Sequence, residues 1–499
     1  SPQLVLFTRQ LWRLCRHQHR QMPRSSGPVI MTGGWMLFLL AALARGNDTV
    51  GSKRYTPDWD SLDSRPLPAW FDEAKIGIFI HWGVFSVPSY LNEWFWWLWK
   101  GPTPDPAAKL YMDIFYPSGF AYADFAKQFK AEFFDPRQWA DIFQASGAKY
   151  VVLTSKHHEG FCNWPSPTSW NWNAVDVGPR RDLVGELAQA IRSKTGMQFG
   201  VYHSLFEWFN PLYIADAAAN YTQQAFVDGK TMPELYDLVE RYRPSVIWSD
   251  GAPSTSEYWK AKEFLAWLYN DSPVKDFVVV NDRWGSDVEC KHGDFLTCAD
   301  RYHPTVLPKR KWESCMTLDK YSWGFRRNSR IQDCLTNQEL IETLVETIAF
   351  GGNFLINVGP TAWGTIDPIF EERLLNMGEW LSVNGMAIYD SVPWAVQKDP
   401  KRPKLWYTKQ RPKAAFNGVS AVYALFADWP AGPDHTLLLP VVKAEPGKMP
   451  NCTLLAFETG VSLVAEERED GLLLKLPSYP PERMQFVWVV RLENVEERS

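Results

Sequence analysis

Ser245-Val246-Ile247-Trp248-Ser249-Asp250-Gly251 is the stretch on which the fold of this chain turns. Its first residues form a short apolar run of the kind a buried strand carries. The run stops at a carboxylate and a glycine, so Asp250 falls where a strand ends and a turn begins. In α/β barrels that edge is where reacting groups stand. A carboxylate beside an indole suits chemistry on a sugar: a nucleophile or charge stabiliser next to an apolar wall.

Similar runs recur on both sides of it. Residues 75–80, 150–154, 199–202, 277–280 and 353–357 read as buried strands, and residues 312–317 give a poorer signal. Between them, residues 182–194, 233–242, 257–269, 338–349 and 370–381 read as helices. In the fourth of these, Leu340, Leu344, Val345 and Ile348 share one face. The alternation predicts a parallel sheet, and the number of units predicts an α/β fold of the (β/α)8-like (TIM) barrel type over residues 47–392. After Pro393 the texture changes to strand-like runs at 419–426, 435–441, 472–476 and 484–491 between Pro- and Gly-rich turns. That predicts a C-terminal antiparallel β-sandwich over residues 393–499.

The first 46 residues read as targeting sequence. Arg9, Arg13, Arg16, Arg20 and Arg24 make residues 1–30 a basic, acid-free extension. Met31, the expected true start, opens a segment whose apolar core from Trp35 to Ala44 is too short for a bilayer and ends in small residues. Residues 31–46 therefore read as a signal peptide, with an Arg-rich mitochondrial presequence as the alternative. Asn47, Asn220, Asn270 and Asn451 each begin an N-glycosylation sequon. A lysosomal or secreted protein is expected. Cys15 lies upstream of the signal. The other cysteines, Cys162, Cys290, Cys298, Cys315, Cys334 and Cys452, are even in number and permit disulfides, in any of 15 pairings. Cys290 and Cys298 are near enough in sequence to close a small loop. A net charge of -5 gives no basic field for nucleic acid or an anionic membrane, and no later segment is long and apolar enough for membrane insertion. The 26 tryptophans fit either a large aromatic core or stacking on sugar rings.

The strand ends carry the chemistry. They read His81-Trp82-Gly83, Ser155-Lys156-His157-His158-Glu159-Gly160, Tyr202-His203-Ser204, Trp248-Ser249-Asp250-Gly251 and Asn281-Asp282-Arg283-Trp284-Gly285. A barrel brings such ends to one pocket. Histidines, indoles and a tyrosine around a carboxylate suit a neutral polyhydroxylated ligand. His81, His157, His158 and Asp250 could instead ligate zinc in a metal-dependent hydrolase, but such barrels usually show His-x-His on the first strand, where this chain has His81-Trp82.

Residues 75–83, Asn92-Glu93-Trp94, residues 156–161, Trp248-Ser249-Asp250-Gly251 and Asn281-Asp282-Arg283-Trp284-Gly285 form an ordered series. Trp312-Glu313, Ser322-Trp323-Gly324-Phe325 and Asn357-Val358-Gly359-Pro360 continue it. The series resembles the α-L-fucosidases of glycoside hydrolase family 29, closest to the animal lysosomal and secreted members. The resemblance runs from about Tyr55 to the C-terminus, less specifically over the sandwich.

It implies a retaining exo-glycosidase that releases terminal α-L-fucose from glycoproteins, glycolipids and oligosaccharides through a covalent fucosyl-enzyme. No metal or organic cofactor is implied. The partners implied are fucosylated glycans and further copies of the chain, often as a tetramer. Asp250 matches the family nucleophile, and a carboxylic acid about 5–5.5 Å away would protonate the leaving oxygen. Many bacterial members carry that acid as Glu in a Thr-Pro-Glu segment. The corresponding stretch here, residues 293–301, has no Glu. Asp300 is nearest, as in animal members that carry an Asp; Glu313 is the rival and Asp294 a third candidate.

The resemblance further implies that His81, Glu93, Trp94, His157, His158 and Tyr202 bind fucose hydroxyls, that Trp248 walls the C6 methyl, and that Arg283 orients or neutralises a carboxylate. Trp323 flanks the leaving group or belongs to the core; His203 is equally a buried structural histidine. A fucose-binding, lectin-like protein with weakened catalysis is the alternative that the open acid/base position leaves.

Overall fold

The computed structural model describes residues 53–498 apart from 252, 413–420, 431, 457–459 and 482–485. The basic extension, the signal segment, Asn47 and the first residues of the strands expected at 419 and 484 lie outside the described residues.

Seven parallel strands form one curled sheet: β1 (Ile76–Ile80), β2 (Tyr150–Lys156), β3 (Gln198–Ser204), β4 (Val246–Asp250), β5 (Val279–Val280), β6 (Glu313–Thr317) and β7 (Asn353–Val358), in the order β5-β4-β3-β2-β1-β7-β6. Both faces are covered, which is why the runs are apolar throughout rather than alternating. Ile76, Ile78 and Ile80 pack with helix residues such as Leu187 and Leu344. Phe79 faces the other way, into a cluster with Tyr150, Val152, Tyr202, Trp248 and Leu355. Gly77 allows Tyr150 to lie across this interior, since a Cβ there would meet the Tyr150 ring at 2.4 Å.

Residues 294–296 take the place of an eighth strand between the edge strands β5 and β6. The amides of Asp294 and Phe295 donate to Val280 O at 3.0 and 3.3 Å, Leu296 N donates to Lys311 O at 2.9 Å, and Glu313 N donates to Leu296 O at 2.8 Å. A regular strand does not form because the Asp294 carboxylate itself accepts from Val280 N at 2.9 Å, where a ladder carbonyl would otherwise sit. Arg65 and Tyr269 hold that carboxylate.

The expected helices appear as Leu183–Lys194, Met232–Tyr242, Ala261–Asn270, Asn337–Ala349 and Pro368–Asn384. The third starts four residues later than read, because Lys260 before it is left-handed, with φ 50°. Helices Pro106–Phe115, Pro136–Ala145 and Pro211–Ala218 were not anticipated. Each opens on a proline, and Asp105, Asp135 and Asn210 accept from the amides that follow.

The chain then enters an antiparallel sheet of β8 (Ser391–Lys398), β9 (Leu405–Gln410), β10 (Val422–Phe426), β11 (Thr436–Leu439), β13 (Asn451–Leu454), β14 (Val461–Arg468), β15 (Gly471–Lys475) and β16 (Trp488–Glu493). Two short strands, β12 (Val442–Ala444) and β17 (Val495–Glu497), pair separately. The layers expected of a sandwich are halves of one sheet. The first part of β14 pairs with β13 and the rest with β15, and Leu437, Leu472 and Leu474 share an apolar cluster with Val422, Val490 and Leu492. The other side of this sheet covers the barrel helices: Trp406, Tyr423, Leu425 and Val489 pack in the cluster of Ile341, Leu344, Val345 and Leu381. Trp380 Nε1 donates to Val487 O at 2.8 Å, and Lys398–Glu346 and Lys404–Glu342 ion pairs rim the contact at 2.7 and 2.8 Å.

Cys290 and Cys298 form a disulfide; Cys162, Cys315, Cys334 and Cys452 are buried free thiols. No helix among the described residues is long and apolar enough to cross a membrane.

Candidate active site

A cavity of about 310 Å³ opens at the C-terminal ends of the strands. Asp250, the last residue of β4, points into it. Tyr202 OH donates to Asp250 Oδ2 at 2.8 Å and Gly251 N to Asp250 Oδ1 at 2.9 Å. Arg283 Nη1 donates to Oδ1 at 3.2 Å, and His158 Nε2 stands 3.6 Å from Oδ2. Burial pushes the Tyr202 phenol well above its ordinary pKa, reinforced by the Asp250 charge, so it stays a donor.

Arg283 joins two carboxylates. Its Nη2 lies 2.8 Å from Asp300 Oδ1, its Nε donates to Thr297 Oγ1 at 3.0 Å, and its guanidinium lies over Trp248 at 4.7 Å from the ring centroid. Burial works against this charge, but Asp250 foremost outweighs it and holds the guanidinium well above its usual pKa. Asp300 lines the cavity with its side chain half exposed.

Glu313 takes no part in the lining. It sits at the start of β6 with no exposed surface, accepting from Trp248 Nε1 at 3.0 Å and Tyr150 OH at 2.5 Å. Burial raises its carboxyl to about 7, a value that resembles a general acid's, yet Trp248 stands between it and the cavity. Asp294 is spent on the bridge between β5 and β6. The structure thus brings only Asp300, of the three acid candidates, to the cavity with Asp250.

Two of the histidines, His81 and His158, are held in defined tautomers. Asn357 Nδ2 donates to Trp323 O at 2.7 Å, so its Oδ1 accepts from His81 Nδ1 at 2.7 Å and His81 Nε2 is left unprotonated. Burial, then the neighbouring His157, pulls His81 down to about 3, so it is neutral. His158 Nδ1 bonds Ser204 Oγ at 2.6 Å; Ser204 Oγ in turn donates to Phe206 O at 2.8 Å, which makes His158 Nδ1 the donor. Burial, with His157 and His81 beside it, holds His158 well below its usual pKa. His157 Nδ1 lies 3.3 Å from Glu159 Oε2. His203 points to the other side of the sheet, its Nε2 3.1 Å from Glu234 Oε2, where Lys156 and Lys230 also bind Glu234; it is a structural histidine. No three His, Cys, Asp or Glu side chains among the described residues are grouped to hold a metal ion.

Glu93 comes from the loop after β1. Its Oε2 accepts from Ser322 Oγ, Trp323 N and Gly324 N at 3.0, 2.9 and 3.2 Å, which pins the loop after β6 to it. Trp94, 38% exposed, forms an outer wall with its ring against His158 and Trp208. Tyr202 stacks on Trp248 at 5.7 Å, and Trp323 lies 5.2 Å from His81; both tryptophans line the cavity.

Phe79, Phe206 and Pro253 also line it and were missed in the sequence, and Gly251, read there as the turn after Asp250, joins them. The signal was present: Phe79 precedes His81 by two residues, and Phe206 continues the period-two series Tyr202, Ser204 beyond the strand end. Gly251 has φ 96°, and a Cβ on it would meet the Phe206 ring at 2.1 Å, so only glycine lets that wall close.

The sequons differ in geometry. Asn220 is exposed, and Asn451 bonds Glu493 at the surface. Asn270 Nδ2 donates to Tyr55 O and Ala266 O at 2.8 and 2.7 Å, and its Oδ1 accepts from Tyr55 N, so both hydrogens of the nitrogen a glycan would need are used, where Asn451 gives one to Glu493.

A family model described as alpha-L-fucosidase matches residues 42–386, and one described as the alpha-L-fucosidase C-terminal domain matches residues 397–493. The chain is 51% identical to the tissue alpha-L-fucosidase of Homo sapiens over 95% of this chain and 98% of that one. It is 53% identical to the alpha-L-fucosidase of Branchiostoma floridae over 89% and 96%. Among solved structures, the Thermotoga maritima alpha-fucosidase superimposes with a TM-score of 0.72 at 33% identity, covering 88% of this chain and 100% of that one.

Proposed function

This chain belongs to the alpha-L-fucosidase family, and from that premise we propose that Asp250 and Asp300 carry out a retaining hydrolysis of terminal α-L-fucosides. The observation that carries the assignment is Arg283, one guanidinium in contact with Asp250 and Asp300 at 3.2 and 2.8 Å. Carboxyls that share a guanidinium suit the separation of about 5–5.5 Å that a retaining glycosidase needs. The cavity, at the small end of ligand pockets of about 300–1,000 Å³, suits one terminal sugar.

In the first step Asp250 attacks the anomeric carbon, the bond to the leaving oxygen breaks, and Asp300 gives that oxygen its proton. A β-fucosyl ester on Asp250 results. In the second step Asp300 takes a proton from water, the water oxygen bonds to the anomeric carbon, and Asp250 departs, so α-L-fucose is released with its configuration retained. His81 Nε2 accepts from a sugar hydroxyl, while Glu93, Trp94, His157, His158 and Tyr202 complete the hydroxyl contacts. Phe79, Phe206 and Trp248 receive the apolar C6 edge. Trp323 flanks the leaving group. No step calls for a metal or an organic cofactor.

The substrates on this reading are fucosylated glycoproteins, glycolipids and oligosaccharides, met in the lysosome or outside the cell by a homo-oligomer. The disulfide and the surface positions of Asn220 and Asn451 support passage through an oxidising, glycosylating compartment.

Azide tests both roles at once. With an activated aryl fucoside, Asp300→Ala plus azide is expected to give α-fucosyl azide, because azide intercepts the fucosyl-enzyme; Asp250→Ala plus azide gives the β anomer, because azide replaces the nucleophile. NMR of the products decides. If Glu313→Ala yields the α-azide and Asp300→Ala does not, the acid/base assignment is overturned.

A further inference from the structure

Asp300 stands on no strand or helix, so something else must hold it. The answer lies in Asp282, which has no exposed surface. Its Oδ1 accepts from Thr297 N at 2.9 Å and Thr297 Oγ1 at 2.5 Å; its Oδ2 accepts from Cys290 N at 2.8 Å and Cys298 N at 3.0 Å. Four donors converge on one buried carboxylate, and they come from both ends of the loop that the Cys290–Cys298 disulfide closes. Both half-cystines are left-handed, with φ 61° and 54°, conformations that need outside support in residues with a Cβ.

The consequences reach the cavity in two ways. The Thr297 hydroxyl, its proton committed to Asp282, accepts from Arg283 Nε, and Arg283 faces Asp250 and Asp300. Asp300 itself follows Cys298 by two residues, and the next anchor is Arg301 N on Cys315 O of β6 at 3.1 Å. Between these anchors lie only Ala299, whose amide donates to Thr297 O at 2.5 Å, and Asp300, whose carboxylate meets Arg283.

We propose that Asp282 is a positioning residue for the acid/base, and that it works with the Cys290–Cys298 disulfide as a two-part clamp on the segment bearing Asp300. Asp282 touches no reacting atom; it acts through Thr297, Arg283 and the backbone of the closed loop. This rests on Asp300 as the acid/base. A displaced acid slows departure of a poor leaving group, which needs the proton, and barely affects a phenolate that leaves unaided. A merely structural defect lowers both rates alike, because an unfolded fraction is silent toward every substrate.

The test compares kcat/KM for a 2-chloro-4-nitrophenyl α-L-fucoside with that for a fucosyl disaccharide, in the full-length enzyme. Asp282→Asn, which turns an amide N–H toward two of the four donors, is expected to lower the disaccharide rate about 10- to 100-fold and to change the aryl rate by less than about threefold. Cys290→Ser/Cys298→Ser, with Asp282 intact, should move the ratio in the same direction by less. Equal losses on both substrates in both variants would overturn the clamp. Asp300→Ala separates the two layers: if it shows the split and Asp282→Asn does not, only the clamp falls; if it shows none, the acid assignment falls and the clamp with it.

Discussion

One wall of the cavity is held by the strand ladder, the other by side chains. On the first, Tyr202 and Ser204 of β3 stand in register with Trp248 and Asp250 of β4, and His81 N donates to Val358 O at 3.1 Å, so each side chain inherits its position from paired backbone. On the second, Arg283, Thr297 and Asp300 lie where β5 has ended after two residues, and a buried carboxylate and a disulfide replace the ladder. Asp250 is thus fixed largely by the paired backbone of its strand, and Asp300 by a few side-chain contacts. The first arrangement spreads control over the ladder; the second concentrates it in a handful of side chains.

The comparison can be broken or sharpened by substitution. The largest effect is expected from Asp250→Ala, with kcat/KM down about 10⁴-fold or more on aryl fucosides and disaccharides alike. A loss confined to poor leaving groups would erase the distinction between the walls. Gly251→Ala comes next: the new Cβ must displace Phe206 and bear a left-handed backbone, so kcat/KM should fall about 10- to 100-fold with about 1–3 kcal/mol of stability. Unchanged kinetics would mean that the ladder-held wall yields freely.

The smallest effect on catalysis should come from Glu313→Gln, behind both walls. Glu313 is raised from 4.5 to about 7. Between those values the folded chain keeps a proton that the unfolded chain has released, so stability declines as pH rises through that window. Gln does not titrate. The variant's Tm should lose that slope between about pH 5 and 7 and change little at acid pH, where protonated Glu313 already turns an O–H to the Tyr150 hydroxyl and an amide N–H can replace it. A slope that survives the substitution assigns the titration to another group.

The ladder-held wall was the legible one. Apolar runs ending at His81, Tyr202 and Asp250 gave strand ends directly, because burial on both faces leaves a continuous apolar stretch. β6 was faint because Glu313, Ser314 and Thr317 are polar, satisfied by partners distant in sequence. The bridge at 294–296 has no period at all. Helices Pro106–Phe115 and Pro136–Ala145 carried an Asp-Pro start signal that the apolar periodicity did not flag. β8 and β9 were missed for want of clear alternation, and much of β14 is exposed, so its runs look like loop. Asp300 could be reached only through resemblance, since nothing local marks a carboxylate whose position is set by Asp282, by a disulfide and by Arg283. Glu313 attracted attention for its neighbour Trp312, whose indole donates to Phe350 O and serves the core.

The seam near residue 391 divides the topology but not the packing. Trp406, Tyr423, Leu425 and Val489 cover barrel helices whose outward side is apolar, so the catalytic half does not possess a complete surface of its own. Cutting the chain there would leave a greasy, water-facing flank, and grafting a foreign tail would need a matching one. For gene trimming, fusion or recombination between relatives, the unit to move intact is the pair.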